Sequence, residues 1–414
     1  MYPRLNKMKT QLALFGFGVV GEGVYQLCEQ HPELQLRVKA IAVKHKNKKR
    51  KAPTSLFVKN NDVQLQDDSI DLFIEVIDDE AESYRIVKTL LLTGKKVISA
   101  NKKMLAHHLT ELRTLEKTHG GCLLYEAAVC ASIPVIRTLD TSFNPQLLSG
   151  LEGILNGSCN YILTRMHQQS CSFETALKEA QQEGFAESDP HLDISGTDSI
   201  NKLCILIRHA FGLSATPDEL FFKGIESIPL STIQWAQSKG YCIKLLARAQ
   251  QSENGIIATV LPTLVQNNAT LAAVHHEWNG LIISSKGNDC QFLCGKGAGR
   301  LPTALAILHD ALGIENGYHY TDRSNEVSLG DSSLQVQIEF PSDWNDVSLD
   351  GLECISPPQD NGHRKAYTIR TTLFQLKKLP WIKRKEVLVL QWPSDQGPLV
   401  SLPAEKEQED VVCN

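Results

Sequence analysis

The sequence predicts an α/β protein in three parts: a parallel-sheet domain, a larger α+β region and a small β-rich appendage at the C-terminus. Three observations favour this fold class. Over about the first 130 residues, short apolar runs alternate with segments of helical spacing. From about residue 140, two helical stripes precede further apolar runs. Beyond about residue 325, short apolar runs are broken by turns that contain proline and glycine.

Four apolar runs in the first part predict strands, at residues 12–15, 38–43, 72–77 and 97–99. A helix is predicted directly after the first run, because Val20, Val24, Leu27 and Cys28 recur at helical spacing. Another helix is predicted at residues 83–92, between the last two runs. Strands that alternate with helices form right-handed βαβ units, so we expect a parallel sheet.

The middle part begins with two predicted helices. Ser172 is a suitable N-cap for the first, and Gly184 is placed to end it. The second lies between Gly196 and Gly212 and carries an apolar stripe. The later runs ATVLPTLV and NGLIISSKG predict strands, which indicates a mostly antiparallel sheet. In the last part, SLQVQIEF and EVLVLQW predict further strands.

The composition argues against several classes of protein. The chain has 414 residues, of which 42% are hydrophobic and 21% charged, and a net charge of −5. A negative net charge does not favour binding to nucleic acid, and no apolar run is long enough to cross a membrane. The N-terminal segment lacks a signal-peptide pattern. The 11 cysteines follow no disulfide framework and form no CxxC pair, so we expect reduced thiols, a cytoplasmic location and no structural zinc.

A glycine-rich loop directly follows the first predicted strand and opens the first predicted helix. Its residues match the pattern G-x-G-x-x-G and are Gly16, Phe17, Gly18, Val19, Val20 and Gly21. The first glycine permits a tight turn, the second lets a pyrophosphate approach the backbone, and the third lets helix and strand pack closely. The helix N-terminus then faces the phosphates. This context predicts a Rossmann-type domain that binds a dinucleotide.

The end of the second predicted strand bears on the choice of cofactor. An NAD site usually carries an acid there, about 20 residues after the glycine loop. The chain instead reads AVKHKNKKRKAP, with a cluster of cations at Lys44, Lys46, Lys48, Lys49 and Arg50. A basic cluster suits a 2′-phosphate, so NADP is favoured and NAD stays possible. A solvated basic loop explains most of these lysines individually as well.

Residues 184–203, GFAESDPHLDISGTDSINKL, place four carboxylates and one lysine between two predicted helices. The carboxylates are Glu187, Asp189, Asp193 and Asp198, and the lysine is Lys202. Three interpretations are open: a solvated acidic loop, a site for a hard cation, or a pocket for a charged small molecule. By spacing alone, Asp198 and Lys202 resemble an ordinary i, i+4 pair on a helix surface.

Several stretches resemble homoserine dehydrogenase, in that family's order, from about residue 9 to residue 315. They are the glycine loop, GKKVISANKKMLA, YEAAVCASIPVIR, GILNGSCNYILTRM, the acidic segment with its flanking helices, and LCGKGAGRLPTALAILHDAL. The resemblance implies a reversible NAD(P)-dependent hydride transfer between L-homoserine and L-aspartate 4-semialdehyde, toward threonine, methionine and isoleucine. It also implies a homodimer or a dimer of dimers.

The resemblance and the sequence patterns together divide the chain into four parts. Residues 1–138 form an NAD(P)-binding Rossmann-type domain, and residues 139–300 a substrate-binding and dimerisation domain. Residues 301–324 return to the nucleotide-binding domain, and residues 325–414 form the β-rich appendage with a loose tail. The appendage has no clear sequence match to the regulatory domain that ends some homoserine dehydrogenases, so the sequence does not predict feedback control.

The resemblance also implies roles for individual residues. Lys202 matches the lysine assigned to acid/base work, and Lys102 matches a second functional lysine that also meets the cofactor. The matched substrate-binding residues are Glu187, Asp193, Asp198 and Ser158, and two further cofactor-binding positions are Gly184 and Gly297. An ammonium at Lys102 would stabilise a developing alkoxide. We further hypothesise that the two lysines lower each other's pKa, which would make one a better proton donor near neutral pH.

A monovalent-cation site is the last feature that the resemblance implies, in the segment YEAAVCASIPVI. Sodium or potassium would be held by the Glu126 carboxylate and by the backbone carbonyls of Val129, Ala131 and Ile133. The glycines common in the family's loop are here Cys130 and Ser132. Glycine reaches the required dihedral angles more easily, so this departure weighs against the site. A strand followed by a turn explains the segment equally well.

Two other functions remain open at the level of sequence. One is a catalytically silent regulator that senses a nucleotide on the same scaffold. A sensor has no use for a proton-transfer set, so the joint presence of Lys102, Glu187, Asp198 and Lys202 argues against it. The other is a dehydrogenase of a different amino-acid semialdehyde, which substrate profiling would separate.

Overall fold

The computed structural model describes residues 9–46, 48–59, 65–287, 290–321, 323, 327–344, 347–349, 351–360 and 363–393. The expected loose tail at residues 401–414 lies outside this part. Two sheets organise the described residues: a six-stranded sheet near the N-terminus and an eleven-stranded sheet that continues to the C-terminus. In the same part, no helix is both long enough and apolar enough to span a membrane.

The first sheet is built from β1 (Thr10–Phe15), β2 (Leu36–Ala42), β3 (Phe57–Val58), β4 (Leu72–Glu75), β5 (Lys96–Ser99) and β6 (Cys122–Leu124). These strands are all parallel, in the order β3-β2-β1-β4-β5-β6. Helices alternate with them along the chain: α1 (Val19–Gln30), α2 (Glu80–Leu92), α3 (Lys102–His119) and, after β6, α4 (Val135–Ser142). The predicted α/β fold with a Rossmann-type parallel sheet is therefore confirmed.

Two predicted boundaries shift for local reasons. β4 ends at Glu75, two residues before the predicted end. There the Glu75 carboxylate accepts a hydrogen bond from the Ile77 N–H at 2.6 Å, which turns the chain out of the strand. α2 begins at Glu80, earlier than predicted, because the Asp79 side chain caps it by accepting from the Glu82 N–H at 3.0 Å.

The second sheet begins with β7 (Leu148–Ile154), β8 (Phe221–Phe222), β9 (Tyr241–Ser252), β10 (Gly255–Gln266), β11 (Trp278–Ser285) and β12 (Cys290–Lys296). Five of these strands pair antiparallel in the order β12-β11-β7-β9-β10, and β8 runs parallel to β10. The accompanying helices are α5 (Gly157–Gln169), α6 (Phe173–Gln182), α7 (His191–Ile194), α8 (Thr197–Phe211), α9 (Leu230–Ser238) and α10 (Arg300–Glu315). The prediction of a mostly antiparallel sheet is confirmed.

The C-terminal strands extend this second sheet. They are β13 (Ser333–Pro341), β14 (Glu353–Cys354), β15 (Gln359–Asp360), β16 (Arg364–Thr372) and β17 (Leu388–Gln391), with α11 (Leu373–Lys378) between the last two. β17 lies beside β10, and the order continues as β17-β13-β16-β14. Their apolar residues form a core that includes Phe340, Trp381 and Ile382. The β-rich appendage thus joins its sheet edge to edge with the middle region.

α8 is the element that brings the two sheets together. It packs against α3 on one side and against β9 and β10 on the other. Glycines with positive φ bound it at both ends, Gly196 at +85° and Gly212 at +73°. Because α8 has protein on most sides, its polar residues are buried with its apolar ones, including Asp198 and Lys202. α10 returns the chain to the first sheet and packs against α1 and β5.

Candidate active site

The glycine loop between β1 and α1 leaves open space beside its middle glycine. A Cβ on Gly16 would lie 2.6 Å from the Val76 carbonyl oxygen, and one on Gly21 would lie 2.5 Å from that of Gly16. A Cβ on Gly18 would meet no atom within 4 Å. Gly18 is also the N-cap of α1 and provides no side-chain cap. An uncapped helix N-terminus next to free space fits the pyrophosphate of a dinucleotide.

The basic segment after β2 lies close to the same loop. The Arg50 guanidinium lies over the Phe57 ring, 5.1 Å from its centroid. The Phe57 ring in turn packs edge-on against Phe17 of the glycine loop, at a centroid distance of 5.2 Å. Four lysines of the segment are exposed, namely Lys44, Lys46, Lys48 and Lys49. Within the glycine loop itself, Val19 is exposed and Val20 is half-buried.

Two lysines from different parts of the chain converge on one carboxylate. Lys102 Nζ lies 2.7 Å from Asp198 Oδ1, and Lys202 Nζ lies 2.8 Å from Asp198 Oδ2. Lys102 is the first residue of α3, whereas Asp198 and Lys202 lie one turn apart on α8. Lys202 Nζ also donates to the Leu155 carbonyl oxygen at 2.7 Å. An ammonium has three N–H donors, so two bonds leave Lys202 one donor for a ligand.

Burial makes this cluster different from the surface pair that spacing alone suggested. The side chains of Asp198 and Lys202 are only 4% and 7% exposed, so that interpretation is wrong. The Lys102 side chain is 44% exposed, which leaves it accessible from solvent. A carboxylate buried this deeply needs opposite charge close by. Here two ammonium groups supply it.

The charges of the cluster shift the pKa values of its members. Burial alone would raise the pKa of Asp198, but the ammonium groups of Lys102 and Lys202 hold it well below its ordinary value. The Asp198 charge in turn raises the pKa of Lys102. The hypothesis of two lysines that depress each other's pKa is therefore wrong for Lys102. The shared carboxylate between them outweighs their repulsion and keeps Lys102 protonated.

Asn156 is a site residue that the sequence analysis missed. Its Nδ2 donates to Asp193 Oδ1 at 2.7 Å and to Asp198 Oδ2 at 2.8 Å. Its Oδ1 accepts from the Cys159 N–H at 2.8 Å and so caps α5. One buried amide thus connects two of the four carboxylates of the acidic segment. The available signal was an asparagine in the stretch LNG between a strand and a helix, where such residues act as caps.

The four carboxylates of the acidic segment separate into two pairs. Asp193 and Asp198 point inward to Asn156, and burial together with the Asp198 charge raises the pKa of Asp193. Glu187 and Asp189 are exposed, and in the described part of the chain no ion pair joins Glu187 to either lysine. The structure therefore brings Asp193 and Asp198 together with both lysines and leaves Glu187 outside that cluster.

Two further residues that the resemblance implies meet at the turn after α6: Gly184 lies in this turn, and Ser158 of α5 contacts it. Gly184 has a φ of +80°, and a Cβ there would meet no atom within 4 Å. The Ser158 hydroxyl donates to the Phe185 carbonyl oxygen at 2.6 Å. Ser158 therefore fastens the backbone next to Gly184 to the N-terminal turn of α5. Gly184 again leaves free space beside the backbone, as Gly18 does.

Gly297 follows β12 and lies against a buried amide. A Cβ at Gly297 would be 1.9 Å from Asn279 Nδ2, so no larger residue fits unless the buried Asn279 side chain moves. Asn279 Nδ2 lies 3.8 Å from Cys130 Sγ. The Ser132 hydroxyl donates to the Lys296 carbonyl oxygen at 2.8 Å. These contacts hold the loop with the implied cation ligands against the end of β12.

In the loop that the resemblance implies as a cation site, two of the four implied ligands already accept hydrogen bonds. The Glu126 carboxylate is buried and accepts from the N–H groups of Ile136 and Arg137, both at 2.8 Å, at the start of α4. Burial raises the pKa of Glu126 to about 8. The Ile133 carbonyl oxygen accepts from the Val135 N–H at 2.7 Å. Within the described residues, no group of three or more His, Cys, Asp or Glu side chains could hold a metal.

The other two carbonyls that the resemblance implies as ligands are those of Val129 and Ala131. Val129 and Ala131 are buried, at 1% and 3% exposure, and Ala131 has a φ of +42°. No backbone or side-chain donor within the described part of the chain bonds to either carbonyl oxygen. Buried carbonyls without a donor are suitable ligands for a hard monovalent ion. The donor set therefore fits sodium or potassium, despite Cys130 and Ser132 in place of glycine.

Two family models match the chain. One described as homoserine dehydrogenase matches residues 134–312, and one described as the NAD binding domain of homoserine dehydrogenase matches residues 16–126. The homoserine dehydrogenase of Lactococcus lactis subsp. lactis is 34% identical over 318 residues, which cover 74% of this chain and 74% of that protein. That of Helicobacter pylori is 34% identical over 346 residues, which cover 81% and 77%.

Solved structures support the same likeness. The crystal structure of a homoserine dehydrogenase from Thiobacillus denitrificans superposes with a TM-score of 0.80 at 25% sequence identity. The superposition covers 93% of this chain and 98% of that one. The likeness therefore includes most of the C-terminal strands as well as the two family-model regions.

The geometry of the cluster yields a prediction about the reactivity of Lys102. Only the neutral amine reacts with acetic anhydride, so a raised pKa slows acetylation. We expect trace acetylation near pH 9 to modify Lys102 several-fold more slowly than its neighbour Lys103, which has similar exposure, at 48%. In the variant Asp198→Asn, Lys102 should react faster because the anion that raises its pKa is gone. Mass spectrometry of the acetylated peptides measures both lysines in one sample.

Lys103 is the internal standard for that measurement, because it pairs with Glu80 and not with Asp198. Its rate should stay the same in the variant, which also reports that the fold is intact. An unchanged Lys102 rate in Asp198→Asn, beside an unchanged Lys103 rate, would show that Asp198 does not control Lys102.

Proposed function

The chain belongs to the homoserine dehydrogenase family, and from this premise we propose that Lys102, Lys202 and Asp198 perform its proton transfer. Its activity is the reversible NAD(P)-dependent oxidation of L-homoserine to L-aspartate 4-semialdehyde. The observation that carries the proposal is the pair of ammonium groups on one buried carboxylate. When bound, the nicotinamide cofactor supplies the donor or acceptor of the hydride.

The lysines act on the oxygen of the reacting carbon. As the aldehyde is reduced, its oxygen gains negative charge, and an ammonium nearby stabilises that charge and then donates a proton. Asp198 favours the protonated form of Lys102, which suits this ammonium to stabilise the developing negative charge. In the reverse direction, the same nitrogen starts as the neutral amine and takes the proton from the homoserine hydroxyl. Lys202 keeps one N–H donor that is not used by Asp198 or Leu155.

The acidic residues of the segment recognise the amino-acid end of the substrate. A carboxylate pairs with the substrate ammonium, and we assign this role to Glu187 together with Asp193. Glu187 is exposed, so it is free to meet a ligand that enters from solvent. Ser158 supports the turn at Gly184 through its bond to Phe185. In this arrangement, Gly184 and Gly297 bring backbone close to the cofactor's nicotinamide end.

For the cofactor, we propose that NADP is preferred over NAD. The support is the cationic segment after β2 and the stacked position of Arg50 on Phe57, next to Phe17 of the glycine loop. Arg50 lies in the segment that follows β2, and in Rossmann-type domains the adenosine ribose binds near the end of the second strand. A guanidinium there can bind a 2′-phosphate with two hydrogen bonds.

We also propose a sodium or potassium ion held by Glu126 with the carbonyls of Val129, Ala131 and Ile133. The support is the buried carboxylate and two buried carbonyls that accept from no donor in the described residues. The ion would fix the loop that precedes α4. Activity measured in KCl or NaCl against tetramethylammonium chloride at equal ionic strength tests this, and equal rates would contradict it.

We further propose a cytoplasmic homodimer or dimer of dimers that assembles through the second sheet. β12 supports this, because it is an edge strand that carries the exposed side chain of Phe292. Cysteines that form no disulfide within the described residues support a reducing compartment. Light scattering of the purified protein tests assembly, and a monomer at micromolar concentration would contradict it. Cell fractionation tests the location.

The first prediction from these roles concerns the two lysines. We expect Lys202→Met and Lys102→Met each to lower kcat by roughly 10²–10⁴-fold, the usual contribution of a positioned acid or base. The measurement is the initial rate of homoserine-dependent NADP reduction, followed by absorbance. Lys103→Met is the matched control, because Lys103 is adjacent and pairs with Glu80 instead. Its rate should change by less than about threefold. A Lys202→Met variant with more than a tenth of the normal kcat would contradict the assignment.

The second prediction concerns the cofactor. We expect kcat/KM to be higher with NADP than with NAD, and Arg50→Ala to reduce that ratio about tenfold by raising KM for NADP. One charge-assisted hydrogen bond accounts for a change of this size. Arg37→Ala is the control, since Arg37 is an exposed cation on β2, the strand that precedes the basic segment. If both variants keep the unmodified protein's ratio of kcat/KM with NADP to kcat/KM with NAD, Arg50 does not bind the 2′-phosphate.

A further inference from the structure

Glu75 belongs to a closed ring of hydrogen bonds at the carboxyl ends of β4 and β5. Its Oε1 accepts from the Ile77 N–H at 2.6 Å, and its Oε2 accepts from the Ser99 hydroxyl at 2.6 Å. The Ser99 oxygen also accepts from the Asn101 N–H at 3.1 Å. Asn101 Nδ2 donates to the Ile77 carbonyl oxygen at 2.9 Å, which closes the ring.

The position of this carboxylate is unusual for a purely structural residue. Glu75 and Ser99 are both fully buried. In the part of the chain that is described, hydrogen bonds hold the Glu75 carboxylate, and no ammonium or guanidinium group pairs with it. Burial raises its pKa to about 7, and the charge of Asp78 adds to the effect. An acid kept in such a place costs stability, so a structural role alone would be met better by an apolar side chain.

The ring touches both halves of the active site. On one side it fixes the backbone at Val76, whose carbonyl oxygen lies against Gly16 of the glycine loop. On the other side it fixes Asn101, whose Oδ1 accepts from the Met104 N–H at 2.9 Å and caps α3. Lys102 is the next residue, and its ammonium reaches Asp198. Glu75 thus connects the cofactor loop to the start of the helix that presents Lys102.

We propose that Glu75 is a positioning residue for the dehydrogenase reaction, which holds the N-terminus of α3 so that Lys102 reaches Asp198 and the substrate oxygen. This inference rests on the role proposed for Lys102. Glu75 touches no reacting atom and acts through Ser99 and Asn101. A glutamine of the same shape has one acceptor oxygen instead of two, so in Glu75→Gln either the Ser99 hydroxyl or the Ile77 N–H loses its acceptor, and no cavity forms.

A double-mutant cycle separates positioning from general stability. We expect Glu75→Gln to lower kcat roughly tenfold to a hundredfold, the effect of misplacing a reacting group by about 1 Å. In the Lys102→Met background, Glu75→Gln should change kcat by less than about twofold, because the group that it positions is gone. Ser99→Ala, which removes the hydroxyl that links Glu75 to Asn101, should behave in the same way.

Glu116→Gln is the matched control. Glu116 is a buried carboxylate near the other end of the same helix, where it accepts from the Leu123 N–H at 3.0 Å. Its replacement should lower thermal stability and leave kcat within about twofold in both backgrounds. This variant shows what the loss of a buried carboxylate does to the domain without any effect on Lys102.

The pH of the comparison also matters. The raised pKa of Glu75 lies above its ordinary value of 4.5, so the folded protein binds this proton more tightly than the unfolded chain. Glu75 therefore loses stabilising effect as pH rises from about 4.5 to 7. Glu75→Gln should be least destabilised, relative to the unmodified protein, near pH 8. At that pH, partial unfolding of the Glu75→Gln variant should lower its measured rate least.

The outcomes are distinguishable. If Glu75→Gln lowers kcat by the same factor in the Lys102→Met background as in the unmodified protein, the inference is overturned, since Glu75 would then act independently of Lys102. A kcat that is unchanged in both Glu75→Gln and Ser99→Ala would overturn it as well. If Lys102→Met itself retains normal kcat, the proposed role of Lys102 fails first, and with it the premise of the inference.

Discussion

One buried carboxylate between two ammonium groups governs the active site. Asp198 is almost inaccessible to solvent, and its charge is stable there because Lys102 and Lys202 contact its two oxygens. Asn156 supplies a further donor to the same oxygen that meets Lys202. If any one of these partners moves away, the cost of burying the remaining charge rises. The surrounding fold therefore has to keep the N-terminal ends of α3, α5 and α8 in contact with one another. Most features of the site contribute to that.

The architecture meets the requirement by placing α8 between the two sheets. α8 carries Asp198 and Lys202, while α3 of the first sheet carries Lys102 at its first position. α5, which follows β7 of the second sheet, begins at the Asn156 cap. The N-terminal ends of these three helices therefore meet in one place, at the border between the nucleotide-binding domain and the rest of the protein. The glycine loop lies on the same border, because Gly16 packs against the backbone just after β4. A proton donor and a dinucleotide can then meet the same substrate carbon.

How far the sequence predicts this site depends on whether a feature is local. The glycine loop and the ends of α6 and α8 follow from short patterns, and the structure agrees with them. The pair Asp198 and Lys202 could not be judged in that way, since i, i+4 spacing is the same on an exposed helix and on a buried one. Only the packing of α8 against α3, β9 and β10 makes the pair a buried one. Asn156 and Glu75 were missed for a similar reason: each acts through partners distant in sequence, such as Asp198 for Asn156 and Ser99 for Glu75. The pKa of Lys102 was predicted in the wrong direction because the sequence does not show that Asp198 lies between the two ammonium groups.

The most direct measurement is a crystal structure of the protein with oxidised cofactor and homoserine bound together. With proton transfer by the lysine cluster, the homoserine hydroxyl oxygen should lie within about 3.2 Å of the Nζ atom of Lys102 or Lys202. Asp198 should still contact both ammonium groups in that complex. A hydroxyl oxygen more than about 5 Å from both Nζ atoms, with no single water between them, would contradict the assignment of the cluster as the acid and base of the reaction.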